Sequence, residues 1–387
     1  MPIKNSKFKK VLKKAITLSF STINKFIPKD DKTVLLYTAN GGTCFALLPL
    51  RRYMLENGFD KKYNIVCGVE SMKYAEDLPN VTFVSGLGVI KTFLRAGHVF
   101  YTAGQVPIKP SRKQCVIHMD HGNANFKCQG RLAGSTDLGD ELFFTHRIAP
   151  SEYFIPTMAK EWGCKESNMV VCGDPMCDQL LQYPKNSYDL SKYDKVLMWM
   201  PTFRQSDYYG INDTTMEEIV PIFPESSYEE LNARLAKYNI LLLVKIHGQQ
   251  KTDHVKCRHF SHLRIYTNEE FVNDGYETYH MMAQSDGLIG DYSSASLQYL
   301  MLDRPQAYVV PDLEEYGKNR TFVFPNVEEY MGGHIVKSQD DFWQFLDDFA
   351  NGRDVYKEKR NRIYDIVYKY HDDKSCERIV EVSGMKL

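Results

Sequence analysis

Four places in this sequence put anion-handling side chains directly after a short apolar run. Asp120-His121-Gly122-Asn123 follows QCVIHMD, and Pro201-Thr202-Phe203-Arg204 follows KVLMWMP. Lys245 and His247 close NILLLVKIH, and Gly290-Asp291-Tyr292-Ser293-Ser294 follows GLIG. A helix opening on Ser293 and Ser294 presents unpaired N–H groups, hydroxyls and a partial positive charge, which suits a phosphate. Asp291 stands in the same turn as a candidate substrate contact. Arg204 can fork onto phosphate oxygens, and Lys245 supplies a point charge. His247 can donate to a bridging or leaving oxygen. The reference pKa of His121 suits it to remove a proton from an incoming hydroxyl at neutral pH. Asp312, Glu314 and Glu315 follow another apolar run, where they either meet a sugar or alditol hydroxyl or solvate a loop. Each element alone has a bland reading as a loop histidine, an N-cap or a surface ion pair. Their joint occurrence points to a phosphate-handling cleft.

The elements that must hold these residues alternate between β-branched runs and amphipathic stretches. Strands are predicted at 33–39, 63–69, 81–85, 98–102 and 114–120, then at 195–201, 239–247, 264–268, 287–290 and 306–310. A helix is predicted over 226–238, and the charged tail from Asp340 reads as helical. Strands separated by helices mean βαβ units and parallel sheets. The polar stretch 182–194 separates two such series. The expected fold is therefore α/β, with two Rossmann-like domains facing across a cleft at 30–190 and 191–345, and a helical tail at 346–387. Ligands of open α/β sheets bind beyond the carboxyl ends of the strands, which is where the four clusters fall.

The 387 residues, 43% hydrophobic and 25% charged, describe a globular chain of about two domains. A formal net charge of −1 argues against bulk binding of nucleic acid. Residues 1–29 differ: they hold eight lysines and no acid, so the rest is net acidic. Phe8, Val11, Leu12, Ala15, Ser19, Ile23 and Phe26 recur at helical spacing until Pro28. A basic amphipathic helix of this kind lies on an anionic membrane surface. No stretch approaches the ~20 apolar residues of a membrane span, and the N-terminus lacks a signal peptide's apolar core and cleavage site. Nine cysteines without framework spacing fit a reduced compartment. The reading is a peripheral protein at the cytoplasmic face of the cell membrane.

Other motifs are weak or missing. His254, Cys257, His259 and His262 form a string without clear zinc-pair spacing. Gly86 and Gly88 lack the third glycine of a dinucleotide fingerprint, and neither a P-loop nor a G-x-S-x-G elbow occurs. No metal site and no cofactor is called for, and the missing D-x-D motif agrees.

Pro201-Thr202-Phe203-Arg204, Lys245-Ile246-His247 and the run from Ser285 to Tyr316 (SDGLIGDYSSASLQYLMLDRPQAYVVPDLEEY) resemble the CDP-glycerol glycerophosphotransferase family. Its members prime or polymerise teichoic acids and related capsule polymers. The resemblance covers roughly residues 100–345. It implies a GT-B fold, a CDP-alditol donor without further cofactor, a lipid-linked or polymeric glycan acceptor, and peripheral membrane binding. It also implies that His121 is the base, that the acceptor hydroxyl attacks the β-phosphorus of CDP-glycerol, and that CMP leaves. Arg204, His247, Ser293 and Ser294 match positions associated with the donor's phosphates. The family usually continues H-G-T-P-x-K, whereas this chain runs His121-Gly122-Asn123-Ala124-Asn125-Phe126-Lys127, which points to an unusual acceptor side around Gly122 and Lys127. His247 precedes Gly248 rather than proline, and Gln298 stands where an acid facing a ribose is usual. Two other classes share these features: a GT-B glycosyltransferase using a nucleotide sugar, and a non-catalytic scaffold at the membrane.

Overall fold

The computed structural model describes residues 17–120, 122–133, 142–202, 205–206, 211–212, 214, 218–248, 250 and 258–387. His121, Arg204, His254 and Cys257 lie outside the described residues, as does the basic stretch 1–16.

The chain forms two compact units. The first comprises residues 1–123, 135–178 and 372–387, the second 124–134 and 179–371. The expected division was into continuous domains at 30–190 and 191–345 with a helical tail at 346–387. Residues 124–134, 179–190 and 346–371 join the second unit, and 372–387 return to the first.

The first unit opens with α1 (residues 17–24), then β1 (Asp30–Tyr37), α2 (Leu47–Glu56), β2 (Asn64–Gly68), β3 (Val81–Val84), α3 (Leu87–Arg95) and β4 (Ala96–Tyr101). It continues with β5 (Cys115–His118), β6 (His146–Ala149), α4 (Ile155–Trp162), β7 (Met169–Val171) and the start of α5 (Pro175–Gln182). Its seven strands are ordered β3-β2-β1-β4-β5-β6-β7, and every pairing is parallel. Parallel sheets are covered on both faces, so their strands read as unbroken apolar runs. Val34, Leu35 and Leu36 of β1 are all buried accordingly. Leu35, Val66, Val99 and Val116, one from each of four strands, pack with Val89 and Phe93 of α3.

The second unit holds β8 (Lys195–Trp199), the short antiparallel pair β9 (Gln205–Ser206) and β10 (Ile211–Asn212), α6 (Tyr228–Lys237) and β11 (Ile240–Lys245). Next come β12 (Arg258–His259), β13 (Leu263–Tyr266), α7 (Asn268–Asn273), α8 (Thr278–Gln284), β14 (Gly287–Gly290), α9 (Ser294–Gln298) and β15 (Gln306–Val309). It ends with α10 (Leu313–Asn319), β16 (His334–Val336), α11 (Gln339–Ala350) and α12 (Lys357–Val367). The sheet order is β12-β13-β11-β8-β14-β15-β16, parallel except for the edge strand β12. Alternation along β8 serves both faces. Leu197 and Trp199 pack towards Phe342 and Phe345 of α11, and Val196 and Met198 pack towards Met281 and Met282 of α8. A capping box at Ser338 and Asp341 starts α11, whose Phe342, Phe345, Leu346 and Phe349 form one buried stripe.

The remaining helix, α13 (Ser375–Ser383), belongs to the first unit. Asp178 at the end of that unit's preceding segment accepts the N–H groups of Ser375 (3.2 Å) and Cys376 (3.0 Å), two of the orphan donors at the start of α13. Burial pushes the Asp178 carboxyl up to about 7 against those hydrogen bonds.

Candidate active site

In each sheet the strand order reverses beside the unit's first strand: β3-β2-β1 meets β4-β5-β6-β7 in the first, and β13-β11-β8 meets β14-β15-β16 in the second. The crevice at such a break is where open α/β sheets take ligands. In the second unit it falls between β8 and β14, and one hydrogen-bonded pair spans it. The Asp291 carboxylate after β14 accepts the backbone N–H of Thr202 after β8 at 2.8 Å, and the Thr202 hydroxyl as well. Asp291 is 1% exposed, so its first task is to hold two strand ends together.

Of the other expected residues, His247 shares a small pocket with Thr202 of this tie, lined also by Pro201, Glu218 and Ile246, which joins the ends of β8 and β11. His247 is exposed. Lys245, one turn of strand earlier, is buried; its Nζ donates to Asn268 Oδ1 at 2.8 Å, and Phe271 packs 5.6 Å from the charge. Burial lowers its pKa to about 8, with the Glu277 carboxylate opposing the shift.

Gly290 precedes Asp291 because nothing larger fits: a Cβ there would lie 2.1 Å from Ser296 Oγ. The chain then turns into α9 with Ser293 as N-cap, its hydroxyl accepting from Ala295 N at 3.3 Å. Ser293 and Ser294 are half-buried. Gln298 is buried at the far end of α9, where its carbonyl accepts from Tyr279 Oη at 2.9 Å. Asp312, also buried, accepts from Tyr292 Oη at 3.0 Å, while the Tyr292 ring stacks on Tyr316 at 4.1 Å. Gln298 and Asp312 thus have partners within the fold, and the exposed acid next to Asp312 is Glu314, in the first turn of α10.

In the first unit, Gly122 has φ +149°, and the chain beyond Asn123 passes to the second unit. There Lys127 forms an antiparallel bridge with Phe322, flanked by Cys128 N to Thr321 O and Val323 N to Phe126 O, each 2.7 Å. The Phe126 ring packs edge-on against Tyr308 and Phe324. Lys127 therefore stands in the second unit.

One constellation escaped the sequence reading. Arg147 of β6, opposite His118 in the register of β5 and β6, is almost fully buried. Its guanidinium donates to Asp120 Oδ2 and to His118 Nδ1 and lies 4.3 Å from the centre of the Trp162 ring. The available signal was an arginine inside the apolar strand HRIA, which needs a buried partner.

Among the described residues, no cluster of His, Cys, Asp and Glu is arranged to hold a metal ion. None of the described helices is long and apolar enough to cross a membrane.

Comparison with known proteins gives this geometry its context. The chain is 27% identical over 392 residues to the teichoic acid ribitol-phosphate polymerase TarL of Staphylococcus aureus, covering 93% of this chain and 64% of the relative. It is 29% identical to TarK of the same organism, over 71% of this chain and 53% of that one. With the teichoic acid ribitol-phosphate primase of Bacillus spizizenii it shares 27% identity over 71% and 70% of the two chains. The chain thus spans between about half and two-thirds of the two S. aureus polymerases. The structure of the wall teichoic acid polymerase TagF superposes with a TM-score of 0.74 at 18% identity, covering 99% and 98% of the chains. A UDP-N-acetylglucosamine 2-epimerase from Listeria monocytogenes shares the fold at a TM-score of 0.54 and 10% identity, over 92% and 98%. These likenesses place the two sheets in the GT-B type of architecture. The model of the CDP-glycerol:poly(glycerophosphate) glycerophosphotransferase family matches residues 19–382, and the chain belongs to that family.

Proposed function

We propose that this protein transfers an alditol phosphate, glycerol or ribitol phosphate, from its CDP conjugate to a hydroxyl of a lipid-linked or polymeric teichoic acid acceptor. The observation that carries this reading is the Thr202–Asp291 tie across the β8/β14 crevice, with His247 beside it, in a member of this family. The acceptor oxygen attacks the β-phosphorus, the bond from that phosphorus to the CMP oxygen breaks, and a phosphodiester forms. His121 takes the acceptor's proton. Arg204, His247 and the start of α9 meet the charge on the donor's phosphates, and His247 donates to the departing CMP. Positioning and charge stabilisation supply most of the acceleration, as in other phosphoryl transfers.

The same reading places the protein on the membrane. Leu18, Ile23 and Phe26 of the N-terminal segment are exposed, with Phe26 at 81%. The opposite edge of α1 is the docked one: Asn24 donates to Lys109 O and Gln114 Oε1, and Ser21 accepts from Lys109 N. Leu87, Lys91 and Arg95 make the outer face of α3, and Lys91 and Arg95 border a groove of about 1000 Å³ that also touches Ile27 and Pro28. Apolar tips beside unpaired cations suit an anionic lipid surface.

The deciding experiment is calorimetric titration with CDP-ribitol, CDP-glycerol and UDP-N-acetylglucosamine, followed by CMP release with a synthetic lipid-linked teichoic acid primer. Selective binding of a CDP-alditol and primer-dependent CMP release are expected. Binding of the UDP-sugar alone would move the protein to sugar transfer.

A further inference from the structure

Asp120 is a non-glycine residue in the left-handed region, with φ +58°, at the end of a buried strand. Such a conformation persists only where the surroundings impose it. Here four side chains do so, three of them buried. Arg147 grips the Asp120 carboxylate, the Thr102 hydroxyl donates to the Asp120 carbonyl, and His118 and Trp162 hold the guanidinium in place. The Arg147 and Asp120 side chains are 1% and 5% exposed. Three residues along the chain, Asn123 N–H reaches Asp174 Oδ2 at 3.4 Å, and Asp174 Oδ1 accepts from Met176 N at 3.0 Å. Asp120 and Asn123, three positions apart, are thus each held by buried side chains.

A buried ion pair is weak evidence for stability, because desolvation offsets much of the attraction. What it does well is fix one geometry. We propose that Arg147, acting through Asp120, is a positioning residue that sets the course of the chain into His121. This rests on the reading of His121 as the general base. Neither Arg147 nor Thr102 touches the substrate in this account. Their effect falls on the transfer step and leaves donor binding, which belongs to the second unit, unchanged.

The test compares two variants with the wild type in CMP release with the lipid-linked primer, using whichever of CDP-ribitol and CDP-glycerol the protein binds. The paired change Asp120→Asn with Arg147→Met removes both charges together, so neither is left buried alone. Thr102→Val keeps the shape and removes only the hydroxyl. Both are expected to keep the donor Kd within twofold while kcat falls, about a hundredfold in the paired variant and about tenfold in Thr102→Val. Should the paired variant not fold, Thr102→Val decides. An unchanged kcat, or a fall in kcat matched by an equal loss of donor affinity, overturns the positioning role. His121→Ala separates the two layers. If it turns over normally, the base reading fails and this inference with it. If it is inactive while the folded variants are fully active, this inference alone fails.

Discussion

Thr202 and Asp291 sit 89 residues apart in the chain, and their hydrogen bonds join β8 to β14 at the break in strand order. Both donors of Thr202, the backbone N–H and the hydroxyl, end on one buried carboxylate. Asp291→Ala strands both, at a cost of about 1–3 kcal/mol for each buried donor left unmade. The expected outcome is a thermal midpoint several degrees lower and a CDP-alditol affinity at least tenfold weaker, read by melting and by calorimetry. Asp291→Asn, which keeps one acceptor, should fall between.

Lys245 carries its charge at some expense. Its folded pKa of about 8 lies below the unfolded value near 10.4. The unfolded chain therefore binds more protons between about pH 8 and 10.4, and the Lys245 contribution to stability rises with pH across that window. Lys245→Met should remove this rise in urea titrations and be no less stable at pH 7. Donor affinity should respond oppositely. If the ammonium serves the phosphates, wild-type affinity weakens above pH 8, whereas Lys245→Met binds about tenfold more weakly at pH 7 and shows no such change.

Asp178 has the reverse sign. Its folded pKa of about 7 lies above the unfolded value near 3.9, so its contribution is full below pH 4 and is lost as pH rises to about 7. Asp178→Asn should flatten that decline. Asp178→Ala removes the acceptor for both N–H groups at the start of α13 and should destabilise the first unit by about 2–3 kcal/mol. Urea midpoints, with proteolysis of the segment around residues 370–375, report both effects.

The exposed edge of α1 and the outer face of α3 predict the membrane behaviour. Phe26→Ser with Leu18→Ser, and separately Lys91→Glu with Arg95→Glu, should each reduce sedimentation with phosphatidylglycerol vesicles about tenfold or more. The loss from the charge pair should shrink in high salt. Unchanged sedimentation in both would remove this face from the account. Asn24 and Lys29 are poor targets, because Lys29 Nζ donates to Asn24 Oδ1 and the two tie α1 to the body.

Much of this was legible in the sequence. The long apolar runs became β1, β8 and β11 within a few residues of the expected bounds, because full burial in a parallel sheet leaves an unbroken β-branched and leucine signature. β7 and β16 escaped because three residues are too few to show a period, and β6 because His146 and Arg147 interrupt its apolar run. That Thr202, His247 and Asp291 follow β8, β11 and β14 was legible, since residue type and position after a strand are local properties. The burial of Gln298 and Asp312 was not, because Tyr279 and Tyr292 reach them only through the tertiary fold. Nor does spacing reveal that Arg147 faces Asp120. Of the expected apolar stripe, Ser19 and Ile23 of α1 and Phe26 beyond it are exposed, while Ser21 and Asn24, polar in the sequence, make the docked edge.

The return of residues 372–387 to the first unit sets an order of events during synthesis. The strands of that unit are translated by residue 171, yet the helix that covers Asp178 is made only after the whole second unit. At about 5–20 residues per second, roughly 200 intervening residues impose a wait of about 10–40 s. Through that interval the nascent first unit carries the uncovered faces of Cys172 and of the α2 surface that α13 later packs on. The wait lasts as long as the second unit takes to be made, and throughout it the first half still lacks its last helix. A chaperone that shields apolar surface on nascent chains would find its substrate here, on residues that are buried once synthesis is done.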